Sequence, residues 1–147
     1  MSIIEDYLNE RGTLTYSNVG TSMMPLLRQG RDLFTVRKMG QERCRAGDVV
    51  LYKRPPDKYI LHRIVEVRED GYVILGDNCV NREYGIRDSD ILGVMTGYIR
   101  DGKEHSVTEQ AYLDYTARIL RGEKSRVARI RLKQRIRRTL KRIVGRA

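Results

Sequence analysis

The sequence predicts a mainly β fold, a barrel or folded sheet, with a short N-terminal helix and a basic helical C-terminal extension. Three observations predict it. Between residue 13 and about 106, short runs of Val, Ile, Leu and Tyr are separated by Gly, Pro and Asp-Gly turn signals. At the N-terminus, Ser2 and Glu5 have the spacing of a helix start. From Val107 onward apolar residues recur at helical spacing among many Lys and Arg.

Each element follows from local chemistry. Ser2 is the expected N-cap of a helix over 2–10, with Ile3, Ile4, Tyr7 and Leu8 on one face and Gly12 after its end. Leu33-Phe34-Thr35-Val36 and Asp48-Val49-Val50-Leu51-Tyr52 read as strands. Pro55-Pro56-Asp57 marks a turn into the longest strand, 59–67. In its second half Ile64, Glu66 and Arg68 alternate with Arg63, Val65 and Val67. Asp70-Gly71 predicts a hairpin to Tyr72-Val73-Ile74-Leu75. A last strand is expected near 91–99, turning at Asp101-Gly102. Thr108 and Glu109 open a helix carrying Ala111, Tyr112, Tyr115, Ile119 and Leu120, and Gly122 separates it from a second over 124–144. The stripe of the second is Ala128, Leu132, Ile136, Leu140 and Ile143. Residues 1–106 are thus expected as the β domain (helix 2–10, core 13–106), and 107–147 as a basic amphipathic tail.

Composition narrows the function classes. No apolar run approaches the roughly 20 residues needed to span a bilayer. The acidic start, Met1-Ser2-Ile3-Ile4-Glu5-Asp6, lacks the apolar core of a secretory signal, so the cytoplasm is the default location. Cys44 and Cys79 have neither redox nor zinc spacing and are read as free thiols. Two scattered histidines, His62 and His105, predict no metal, and no cofactor is expected. Residues 118–147 hold 13 Lys/Arg against one acid, whereas residues 1–117 hold 16 against 18. The net +10 therefore belongs to the tail, and the body has no general affinity for polyanions.

Ser22 lies in Gly20-Thr21-Ser22-Met23-Met24-Pro25, and His62 lies forty residues on in Leu61-His62-Arg63-Ile64-Val65. A serine hydroxyl needs a base to become a nucleophile, and a neutral imidazole suits that task. A carboxylate can orient such an imidazole, and Asp77 of Gly76-Asp77-Asn78 is the candidate. Main-chain N–H groups near Gly20–Met23, including those of Thr21 and Met23, are candidate oxyanion donors, with Gly20 allowing unusual backbone angles. The plainer alternative makes Ser22 a loop hydroxyl and His62 a packed strand residue.

At these residues the chain resembles the signal peptidase I family and its neighbours among the serine peptidases that include the LexA-type repressors. Four blocks match in order: Gly20-Thr21-Ser22-Met23-Met24-Pro25, Gly47-Asp48-Val49-Val50, Leu61-His62-Arg63-Ile64-Val65, and Gly76-Asp77-Asn78 followed by Ile91-Leu92-Gly93-Val94. Together they cover about residues 18–97. The resemblance implies a folded β-sheet barrel and a serine endopeptidase without cofactor. His62-Arg63 implies the Ser-His branch rather than Ser-Lys, and Lys58 does not match the family lysine. Glu83 and Asp88 are the fallback carboxylates, because in reticulum-type members the acid can lie about six residues beyond the Gly-Asp-Asn aspartate. Where some members have a hydroxyl two positions before the nucleophile, this chain has Gly20. Membrane-bound relatives carry a transmembrane helix before the serine and the repressors a DNA-binding domain. Twenty-one residues precede Ser22, so a small member lacking both is expected.

The expected partner is a peptide or protein substrate, such as the leader of a small exported peptide. Alternatives are a catalytically silent peptide-binding module and a basic-tailed adaptor for anionic membrane surfaces. For residues 122–147 two readings stand level: packing on the core, or peripheral contact with an anionic membrane at its inner face through a helix about 31 Å long. Nucleic-acid binding ranks third, because no aromatic residue follows Tyr115.

Overall fold

A computed structural model describes residues 2–145, so Met1 and the tail's Arg146 and Ala147 lie outside the described residues. Helix α1 spans Ile3–Arg11. The Ser2 hydroxyl accepts from the Glu5 N–H while the Glu5 carboxylate accepts from the Ser2 N–H, the reciprocal cap expected from their spacing. Leu8 carries the helix into the core.

Eight strands form one antiparallel sheet: β1 Thr13–Ser17, β2 Asp32–Lys38, β3 Val49–Arg54, β4 Lys58–Arg68, β5 Gly71–Leu75, β6 Glu83–Ile86, β7 Ile91–Arg100 and β8 Lys103–Ser106. Their order is β1-β2-β7-β3-β4-β5-β6, with β8 also on β7. The expected mainly β class and its flanking helices are present, but the barrel is corrected to an open sheet. Closure would require pairing between β1 and β6, and these two strands instead end the hydrogen-bonded series. Strand β7 is the branch point. It pairs with β2 along its length, while its other edge serves β3 through Ile91–Val94 and then β8 through Gly97–Arg100. Thr96, between these stretches, is the unmatched residue of a bulge against Thr35 and Val36.

The sheet has apolar side chains on both faces. In β3, Val49 and Leu51 join a cluster with Leu14, Met23, Leu27, Phe34 and Leu61, whereas Val50 and Tyr52 join a second with Cys44, Ile64, Tyr72 and Ile74. This explains why four successive β3 residues are buried. Helix α2, Gln110–Arg121, buries Tyr112 and Ile119 and so forms part of the core. Helix α3, Glu123–Val144, starts directly after Gly122. Its first turns are tied down by Glu123–Arg82 pairing at 2.7 and 3.0 Å and by Arg126, whose Nη1 donates to the Ile119 carbonyl. From Leu132 to its end every described residue is exposed.

One buried ion pair joins these parts. The Arg63 Nε and Nη2 donate to the two Asp77 oxygens at 2.8 and 2.9 Å, with both side chains fully buried. Arg63 Nη1 also donates to the Gly47 carbonyl and the Thr116 hydroxyl, and the Tyr115 hydroxyl donates to Asp77 at 2.7 Å. The guanidinium lies 5.9 and 5.6 Å from the ring centres of Tyr112 and Tyr115. Burial acts most strongly against its charge, but the bonds and charge of Asp77 outweigh this and raise its pKa.

Because either ion alone would be stranded in the core, Asp77→Ala or Arg63→Ala is expected to cost about 3–5 kcal/mol in urea unfolding. The double variant Arg63→Met/Asp77→Leu should recover most of that loss. A single variant within about 1 kcal/mol of wild type would remove the pair from this role.

Candidate active site

The segment between β1 and β2 carries Ser22 and is fixed at several points. Met23 and Leu27 are fully buried, and the Leu27 N–H donates to the Met23 carbonyl. Buried Asn18 donates to the Leu27 carbonyl at 3.4 Å. Arg100 donates to the Leu26 carbonyl at 2.6 Å and pairs with Asp32, which accepts from the Arg28 N–H. Burial pushes the Asp32 pKa up, but Arg100, Arg31 and that N–H together hold it at about 2. The Met24–Pro25 peptide is cis.

A second loop, 76–79, clasps this segment from β5. The Asn78 N–H donates to the Ser22 carbonyl at 2.9 Å, and the Asn78 side chain donates to the Thr21 carbonyl at 3.1 Å. Gly76 is where the two loops and the histidine meet. A Cβ there would lie 2.8 Å from the Ser22 carbonyl oxygen, 2.9 Å from His62 Cδ2 and 2.7 Å from Cys79 Sγ. Only glycine fits that junction, so its smallness sets how closely the Ser22 backbone approaches the imidazole.

The main-chain donors are now distinguishable. Gly20 does adopt a left-handed conformation, φ +81°, but its N–H donates to the Gln29 side chain at 2.8 Å and is occupied. Among the described residues, the N–H groups of Thr21, Ser22 and Met23 have no acceptor, and neither does the Ser22 hydroxyl.

On β4, His62 pairs in register with Val50, so alternation places Tyr52 of β3 diagonally on the same face. The Tyr52 hydroxyl lies 3.4 Å from His62 Nδ1 and donates to Glu83 at 3.2 Å. Arg54 donates to the same Glu83 oxygen, Oε1, with Nε at 3.1 Å. A phenol has one proton to donate, and here it is directed at the carboxylate. The hydrogen-bond network therefore assigns the imidazole proton to His62 Nδ1, toward the Tyr52 oxygen, and the lone pair to Nε2. That nitrogen lies 3.9 Å from the Cys79 thiol. Burial, then the Arg54 charge, pushes the His62 pKa down to about 4, against weaker opposition from Glu83 and Asp77. Burial likewise raises the Cys79 pKa, which keeps it a thiol. Cys44 and Cys79 are both free.

Ser22 and His62 line one cleft of about 570 Å³. Its wall includes Leu14, Phe34, Leu51 and Leu61, and Arg54 and Lys58 also line it. No family model matches the chain, and no curated protein matches it.

Of the carboxylates expected beside His62, Asp77 accepts from Arg63 and from the Tyr115 hydroxyl and, among the described residues, has no hydrogen bond to the imidazole. Asp88 is taken by the Tyr72 hydroxyl and by Arg43 and has no hydrogen bond to His62. Glu83 reaches His62 through Tyr52. Sequence reasoning missed Tyr52, Arg54 and Cys79. The turn at 55–57 held the signal for Tyr52, since it fixes the β3–β4 register. His105, the other histidine, stacks on Tyr98 and bonds to Glu109 elsewhere on β8. Among the described residues, no three His, Cys, Asp or Glu side chains are grouped to hold a metal.

The lowered His62 pKa has a measurable consequence. Above about pH 6.5 neither the folded nor the unfolded chain protonates this residue; below it, only the unfolded chain does until pH nears 4. Stability should therefore fall as pH drops through that window, by up to about 3 kcal/mol at its lower end. His62→Gln should flatten that part of the curve in urea titrations at successive pH values. An unchanged slope would assign the loss to other groups.

Proposed function

We propose that this chain is a serine endopeptidase resembling signal peptidase I of the Ser-His branch, with Ser22 as nucleophile and His62 as general base. The observation that carries the reading is that Ser22 and His62 line one cleft, with the Ser22 backbone held beside the imidazole by the 76–79 loop. In this mechanism Ser22 Oγ attacks a peptide carbonyl as its proton passes to Nε2. The unused N–H groups of Ser22 and Met23 receive the oxyanion. The His62 imidazolium, stabilised through Tyr52 by Glu83, protonates the leaving amine. Neutral again, it activates the water that hydrolyses the acyl-enzyme. General acid–base assistance of this kind is worth roughly 10²–10⁴-fold. The apolar wall of the cleft suits a peptide bearing an apolar side chain near the cut, and a leader peptide is a substrate of that kind.

Two observations favour a second reading, a silent peptide-binding module. Cys79 stands beside Nε2, and Ser22 Oγ is not hydrogen-bonded to the imidazole.

Intact-mass labelling with a serine-reactive phosphonate separates the two. Wild type should take one adduct, and Ser22→Ala and His62→Ala none. Tyr52→Phe should label roughly 3–10-fold more slowly, the worth of one hydrogen bond. A folded wild type that never labels would leave the binding module standing.

A further inference from the structure

We infer that the outer part of α3, from Leu132 to Ile143, docks in the plane of an anionic lipid surface. Leu132, Ile136, Leu140 and Ile143 recur at steps of four, four and three, which gathers them within an arc of about 80° on one side of the helix. They are 51, 50, 56 and 62% exposed, so the sheet does not cover them. Among the described residues, the helix is held to the body only as far as Arg131, whose Nη2 donates to the Val80 carbonyl at 3.4 Å. Beyond it some twenty ångströms of helix carry an uncovered apolar stripe.

Charge identifies the occupant. Between residues 131 and 145 there are seven Lys/Arg and no Asp or Glu. Lys133 and Arg137 flank the stripe on one side, Arg135 and Arg142 on the other. A second copy of the helix would cover the stripe only by bringing two such arrays together. A nucleic acid would use the arginines and leave the stripe in water. An anionic lipid surface satisfies both: acyl chains receive the stripe, and headgroups receive arginines that extend from its flanks. The helix lies on the bilayer, since among the described residues none is long and apolar enough to cross it. The inference is independent of the peptidase reading, because it uses no residue of the Ser22–His62 cleft.

The test is cosedimentation of the full chain with vesicles of phosphatidylcholine alone or mixed with phosphatidylglycerol. Binding to the mixed vesicles should be at least tenfold stronger. Leu132→Gln/Ile136→Gln/Leu140→Gln, which keeps every charge, should lose tenfold or more. Arg135→Gln/Arg137→Gln/Arg138→Gln, which keeps the stripe, should lose as much. Unchanged thermal unfolding would certify both variants, whose altered residues are all exposed. Ser22→Ala should pellet like wild type. The inference is overturned if the stripe variant binds like wild type, if phosphatidylcholine alone suffices, if duplex DNA competes the vesicles away, or if light scattering shows a dimer that the stripe variant dissociates.

Discussion

The buried pairing of Arg63 with Asp77 is the constraint on which the rest of the molecule depends. Two full charges leave water here, and such a pair is tolerable only when nearly every polar atom is satisfied. The surroundings meet that demand from three parts of the chain: the Gly47 carbonyl, Thr116 and Tyr115 of α2, and the 76–79 loop that carries Asp77. Meeting it brings β4, the approach to β3, the end of β5 and α2 to one point. That is why α2 is part of the core, while α3 beyond Arg131 has nothing comparable to hold it.

The same constraint decides the chemistry on the other side of β4. With Arg63 turned inward toward Asp77, His62 faces Tyr52 and the cleft. Asn78, next to Asp77, is placed to hold the Ser22 carbonyl. The aspartate thus acts on the site through the backbone. Orientation of the imidazole falls to Tyr52 and Glu83. A phenol between the imidazole and its carboxylate leaves the histidine less strongly favoured as a cation than direct contact would. Burial and Arg54 lower its pKa further. For the proposed peptidase, this keeps the base ready to accept a proton across the neutral range.

Local signals made much of this legible. The Ser2–Glu5 cap, the Asp70-Gly71 hairpin, the turn at 55–57 and the break at Gly122 all depend on residues within a few positions of one another, and the helices and main strands follow from them. Strands β1, β6 and β8 were not individually legible, because they are only five, four and four residues long. The alternation read through β4 also breaks at Val65, where a bulge against β5 shifts the register. Ser22 and His62 were legible as a pair and do share a cleft. Which carboxylate serves His62 was not, because that depends on which face each residue of 62–63 takes and on a buried arginine competing for Asp77. The open edge between β1 and β6 is likewise a property of the whole sheet, which no single turn encodes.

The most direct test is the protonation and tautomeric state of the His62 imidazole, read from long-range nitrogen–proton correlations by NMR and assigned with His62→Gln. At about pH 5.5, a unit below the ordinary histidine value of about 6.5, His62 should be neutral with its proton on Nδ1. A cationic His62 at that pH, or a proton resident on Nε2, would contradict the account, because the nitrogen proposed to receive the Ser22 proton would already carry one.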